Sequence, residues 1–279
     1  MTLITSPSNP RISKLRDLHT ARGRKKSGLF LMEGIHLLEA LLGAGIVPQE
    51  VYYQAEVLQH SVKGRALFAR LVGSGILQEC LVEVNERVMQ ALGDVQTTSG
   101  VVSVLPLELF KADRLRARRP AVKRPFLLIL DDIADPGNMG TLLRTALAAD
   151  VESVLLSSNC VDCYSPKVVR AAAGAHVALP IEADLSWQAI AEKVARHCGK
   201  ALRVLLAEAG GTLLYYEQDL TLPFALIIGN EAHGPSQEAR SLATLTVSIP
   251  LANGVESLNA AMAAGIVLFE AVRQSRQNM

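Results

Sequence analysis

Residues 126–146 read Phe-Leu-Leu-Ile-Leu-Asp-Asp-Ile-Ala-Asp-Pro-Gly-Asn-Met-Gly-Thr-Leu-Leu-Arg-Thr-Ala. Five consecutive apolar residues, Phe126 to Leu130, suit a strand buried on both faces. Pro136 and Gly137 then punctuate the chain, Asn138 can cap or turn, and Thr141 to Ala149 is a good helix former with Arg144 on its first turns. The same grammar recurs twice. Phe224 to Ile228 leads into Gly-Asn-Glu-Ala-His-Gly at 229–234, and Leu245 to Ile249 leads into Ile-Pro-Leu-Ala-Asn-Gly-Val-Glu-Ser-Leu-Asn-Ala at 249–260. Ligands of open α/β sheets bind outside the carboxyl ends of the strands, so three polar, Gly-bearing loops in equivalent positions predict one shared site.

Further strands are expected at Ser153 to Ser157, His176 to Pro180 and Leu202 to Ala207, separated by helix-length segments. That alternation predicts an α/β fold with a mostly parallel sheet and helices on both faces. Upstream, strands at Gly28 to Gly34, Gln49 to Gln54, Glu79 to Val84 and Gly100 to Leu105 interleave with helices at His36 to Leu42, Val62 to Val72 and Glu86 to Leu92, forming a small mixed α/β unit. The stretch from Leu107 to Pro125 is basic, holds Pro120 and Pro125, and lacks an apolar period. The expected organisation is therefore a domain over 1–106, a basic linker over 107–124 and a second domain over 125–279.

With 279 residues, 49% of them apolar, the chain can bury a substantial core. No apolar run approaches the roughly 18 to 20 residues of a membrane span, and the N-terminus lacks the basic start and apolar core of a signal peptide, so a cytoplasmic home is expected. Cys80, Cys160, Cys163 and Cys198 are too few for a disulfide framework, and the lone Cys-x-x-Cys at 160–163 lacks a second pair at zinc spacing, so no metal is expected.

The formal net charge of +1 hides a segregation. Residues 1–26 set Arg11, Lys14, Arg16, Arg22, Arg24, Lys25 and Lys26 against Asp17 alone; residues 111–124 set seven cations against Asp113. Each segment nets +6, leaving −11 for the rest. An acidic body with two basic segments suits a polyanion held by local patches, although a solubilising terminus and a solvated linker would give the same counts.

The loops narrow the chemistry. Gly229 to Gly234 is followed by Pro235 and Ser236, which disfavours a phosphate-binding P-loop, and no Gly-x-Gly-x-x-Gly follows any strand, which disfavours a nicotinamide dehydrogenase. Ser257 or Asn259 is suited to cap the small-residue helix that starts near Ala260. His233 reads as a loop residue rather than a catalyst.

In order and spacing, the three motifs closely resemble those of the SpoU/TrmH family of SPOUT RNA methyltransferases. The resemblance implies a C-terminal trefoil-knotted SPOUT domain, preceded by a small substrate-binding α/β domain over 1–106. It implies methyl transfer from S-adenosylmethionine to a ribose 2′-hydroxyl in RNA, by a homodimer. The signature pair maps onto Asn138 and Arg144, the matching carboxylate is Glu231, and Ser257 and Asn259 belong to the Ser-Leu-Asn signature. Gly229, Ile249, Leu251 and Leu258 fall where the cofactor is held. Lys167 and Arg170 match a basic loop that contacts RNA, to which the charge count adds Arg11, Arg22, Arg24, Lys25 and Lys26. The chain departs from the pattern at Ala172, where many relatives have Ser, and at Asp150, where many have Gly. Ribosomal RNA is favoured as substrate because of the added N-terminal domain; transfer RNA, or a noncatalytic assembly role, are the alternatives.

Overall fold

The computed structural model describes residues 3–73, 75, 78–94, 98–119, 126–198 and 203–277. Pro120, Lys123, Arg124 and Pro125 of the expected linker, and the start of the strand expected from Leu202, lie outside the described residues. The chain divides into two compact units. One comprises Met1–Phe110 with Tyr164–Val177, the other Lys111–Cys163 with Ala178–Met279.

The first unit is built on a four-stranded mixed sheet of β1 (Leu29–Glu33), β2 (Glu50–Tyr53), β3 (Leu81–Glu83) and β4 (Val101–Pro106), in the order β1-β4-β2-β3. β4 runs antiparallel to β1 and β2, and β2 parallel to β3. Alternation along the strands fills two cores: Phe30, Met32, Val51 and Tyr53 face one side, Leu31, Tyr52, Val102 and Val104 the other. The N-terminal basic stretch is no tail. Asn9 caps a helix over Pro10–Arg16, a tight turn spans Asp17–His19, and Thr20 caps a second helix over Ala21–Ser27. Ile12, Leu15 and Leu18 anchor it in the second core.

The second unit holds seven strands: β5 (Phe126–Leu130), β6 (Ser153–Ser157), β7 (Ile181–Leu185), β8 (Val204–Ala207), β9 (Leu213–Leu214), β10 (Phe224–Ile228) and β11 (Leu245–Ser248). Their order is β7-β6-β5-β10-β8-β11-β9, with every neighbouring pair parallel. β5, β6 and β10 are buried at every residue, as expected of strands covered on both faces.

Three expectations are corrected. Residues 176–180 are not a strand. Ala173 and Gly174 adopt left-handed conformations (φ 48° and 93°), a tight helical turn covers Ala175–Val177, and pairing with β6 starts only at the Pro180 carbonyl, which accepts from Val154 N at 2.9 Å. The helix of the first motif begins at Pro136 rather than Thr141, because Asp135 caps it and Pro136 supplies a preset first turn. Asn138 is thus held in a helical first turn. The segment read as linker carries helical turns at Leu107–Phe110 and Ala112–Arg118, the latter burying Ala112 and Leu115.

Candidate functional site

The carboxyl ends of the adjacent strands β8, β10 and β11 open into a cleft of about 280 Å³. Its walls include Ala207 to Ala209 after β8, Ile228 to Glu231 after β10, and Ile249, Leu251, Ser257 and Leu258 after β11. All four expected cofactor positions, Gly229, Ile249, Leu251 and Leu258, therefore line one space.

A chain of hydrogen bonds ties the motifs together at this cleft. Asn259 Nδ2 donates to Asn138 Oδ1 at 2.8 Å, and Asn138 Nδ2 donates in turn to Glu231 Oε1. Asn259 Oδ1 accepts from the backbone of Ala261 and Met262, at 3.0 and 3.2 Å, so the same side chain caps the final helix, Ala260–Gln277. Capping and site-building are one role here. Each amide uses its oxygen and its nitrogen on different partners, which fixes its orientation.

The loop after β10 is itself held rigidly. Asn230 Oδ1 accepts from Ala232 N and His233 N, at 2.8 and 3.0 Å, while its Nδ2 donates to the Asp132 carbonyl at 2.8 Å. Ser236 N donates to Asp131 Oδ2 at 2.7 Å, and Asp131 is only 2% exposed. Gly229 is required by close approach: a Cβ there would lie 2.7 Å from both the nitrogen and Cα of Pro235. The approaching backbone is the protein's own. Sequence reasoning missed Asp131, Asp132, Asn230 and the 207–209 turn; only the two carboxylates directly after an apolar strand could have signalled them. Glu208 in that turn is paired with Arg240 at 2.5 Å.

Arg144 does not join the relay. Six residues past Asn138, it lies about 9 Å further along the helix axis. It is exposed, lines no part of the cleft, and forms no ion pair among the described residues. His233 is an exposed loop residue whose backbone, not its ring, makes the observed bond.

The basic residues sort sharply. Arg24 is 3% exposed and donates to the Leu18 carbonyl at 2.7 Å, so its expected RNA contact is corrected to a structural one. Arg11 pairs with Glu50 at 2.9 Å and stacks over Tyr52, and Arg170 pairs with Asp94 at 2.8 Å. Lys14, Arg16, Arg22, Lys25, Lys26 and Lys167 are exposed and have no ion-pair partner among the described residues. The second basic segment is largely spent: Arg116 pairs with Glu182 at 2.6 Å, Arg119 with Asp150, and Lys111 and Arg114 have partners. Burial pushes the Glu182 carboxyl up, but Lys193 and Arg116 outweigh it and hold it below the usual range. Asp150 itself sits at φ 61°, a left-handed position that explains why a glycine suits it.

Among the described residues no cluster of His, Cys, Asp and Glu could hold a metal, and no helix is long and apolar enough to cross a membrane.

The sheet is thus parallel throughout, and its cleft is walled by the loops after β8, β10 and β11, two of them motif loops, with the first motif tied to it through Asn138. The chain belongs to the SpoU rRNA Methylase family, whose model matches residues 125–269, and residues 9–103 match an MRM3-like substrate binding domain. An uncharacterized tRNA/rRNA methyltransferase of Synechocystis sp. is 35% identical, across 97% of this chain and 93% of that protein. RlmP of Bacillus subtilis, a 23S rRNA (guanosine(2553)-2′-O)-methyltransferase, is 31% identical, across 96% and 98%. The SpoU methyltransferase AviRb from Streptomyces viridochromogenes, crystallised with AdoMet, superposes with a TM-score of 0.80 at 27% identity, covering 95% of this chain and 98% of that one.

Proposed function

We propose that this protein methylates a ribose 2′-hydroxyl of ribosomal RNA with S-adenosylmethionine as donor. The observation that carries the reading is the convergence of Asn138, Glu231 and Asn259, from three separate motifs, beside the cleft walled by Gly229, Ile249, Leu251 and Leu258. The cleft fits the donor in kind: apolar Ile249, Leu251 and Leu258 suit a purine face, and Asn230 and Glu231 supply polar lining. When bound, S-adenosylmethionine supplies an electrophilic methyl carried on a sulfonium.

The chain's own residues do the rest. As the ribose oxygen takes the methyl, the methyl–sulfur bond breaks to leave a neutral thioether and the hydroxyl proton passes to water, so positive charge near the oxygen lowers the barrier. A guanidinium is a poor base, and Arg144 has no ion-pair partner among the described residues, which suits it to stabilise the developing alkoxide or position a neighbouring phosphate. Ser257, exposed on the cleft wall, and the Asn259–Asn138–Glu231 relay hold the reacting groups in register.

RNA is captured through the first unit. Arg22, Lys25 and Lys26 share one face of the Ala21–Ser27 helix while Arg24 turns inward, and Lys167 adds a further unpaired cation; Arg11 and Arg170 can reach RNA only by sharing their carboxylate partners. The active form is a homodimer. Met262 and Phe269, 60% and 48% exposed, align with Ile266 along one face of the final helix, an apolar stripe that a second copy would cover. Kinship over full length with a bacterial 23S rRNA enzyme supports a cytoplasmic ribosomal substrate.

Two measurements test the reading: calorimetry with S-adenosylmethionine, and mapping of ribose methylation in RNA from cells lacking the protein. A lost mark in transfer RNA would move the substrate. Tight RNA binding with no lost mark and no cofactor binding would reduce the protein to an assembly factor.

A further inference from the structure

We infer that Asp131 is a positioning residue for the cofactor cleft, acting as one half of a clamp that sets the loop after β10. The inference rests on the cofactor reading above. A buried carboxylate is costly unless the fold uses it, and Asp131 is, with Arg24, among the few charged residues buried in the described structure. Its Oδ2 accepts Ser236 N at 2.7 Å, at the far end of the 229–236 loop. The next residue grips the near end: the Asp132 carbonyl accepts Asn230 Nδ2 at 2.8 Å. To aim that carbonyl, Asp132 takes a left-handed conformation at φ 56°, and Ser157 Oγ accepts its N–H at 3.0 Å. A two-residue corner after β5 thus pins both ends of a loop whose own residues Asn230, Glu231, Gly234 and Pro235 wall the cleft.

The loop has few other anchors on this side. It closes on itself through Gly234 N to the Asn230 carbonyl at 3.0 Å, and Glu231 reaches out to Asn138. Releasing the Ser236 end frees Pro235 from Gly229, and with it the width of the cleft. The function of Asp131 is therefore to set cofactor affinity through loop geometry, without touching the cofactor.

The test compares Asp131→Ala with Asp131→Asn, which keeps an acceptor oxygen of the same reach. Calorimetry on the wild-type protein comes first; if it binds no S-adenosylmethionine, the cofactor reading itself fails. Given wild-type binding, Asp131→Ala should weaken it roughly tenfold or more, the scale of leaving a buried donor unpaired, while Asp131→Asn stays within about threefold. In steady state, KM for S-adenosylmethionine should rise with KM for RNA unchanged, a split that general loss of folded protein would not give. Should Asp131→Ala not fold, Ser157→Ala removes the support under Asp132 without altering a cleft residue and should weaken binding severalfold. Wild-type affinity in a folded Asp131→Ala, equal losses in the Ala and Asn variants, or wild-type affinity in Ser157→Ala would each overturn the clamp.

Discussion

Replacing Arg22, Lys25 and Lys26 together by Ala removes three charges from one helix face and leaves Arg24 in place. The omission of Arg24 matters, because its buried guanidinium satisfies the Leu18 carbonyl and its loss would confound binding with folding. Each phosphate contact on duplex RNA contributes about 0.9 to the slope of log affinity against log salt, taking the B-DNA value, and about 0.7 on single strands. Three contacts therefore carry a slope of about 2.7, or about 2.1 on an unpaired segment. Between 50 and 200 mM salt the wild type should lose about 40-fold more affinity than the triple variant on a duplex target. Fluorescence anisotropy with a labelled ribosomal RNA fragment, titrated across that range, reads this directly. Site choice should survive, since phosphate contacts position without reading sequence. Titrations that overlay would show the face to be merely solvated, and would shift attention to Lys14, Arg16 and Lys167.

Arg144→Ala should leave melting temperature and cofactor affinity unchanged yet slow methyl transfer roughly a hundredfold or more, by single-turnover assay with tritiated donor. Gly229→Ala forces a Cβ to 2.7 Å from the Pro235 backbone, so both melting temperature and calorimetric cofactor affinity should fall together. Arg24→Ala should cost about 1–3 kcal/mol of stability in denaturant titration by orphaning the Leu18 carbonyl. Phe269→Glu places charge in the apolar stripe and should shift sedimentation from dimer to monomer with the cleft's cofactor affinity still measurable.

What could be read from sequence follows from how each element is stabilised. β5 and β10 were legible to the residue because burial on both faces demands unbroken apolar runs, and β6 because serines bracket its Val-Leu-Leu core. β7 was not: an edge strand reading Ile-Glu-Ala-Asp-Leu, with its middle exposed, offers no such run, and the more apolar residues before it drew the expectation upstream. β9, two residues long, is defined only by its partner β11. At the site, the residue types at 138, 231 and 259 were legible, but their linkage into one relay across 121 positions is a tertiary fact. Arg24 marks the opposite limit. A charge count treats it like Arg22 and Lys25, and only the fold reveals that it points inward.

The segment Tyr164–Val177 lies within the stretch matched by the methylase model yet packs in the other unit, with Val169 and Val177 in its core, Tyr164 5.0 Å from Phe30, and Gly174 against Leu37. The methylase half is consequently not a free cassette. A gene fragment beginning at residue 111 would encode every wall of the cleft and still strand two valines and a tyrosine without their oily neighbours. Recombination between relatives at the apparent seam near residue 110 faces the same penalty: a new substrate domain must arrive with a matching insert inside the enzyme it serves, so the two parts are inherited as a pair.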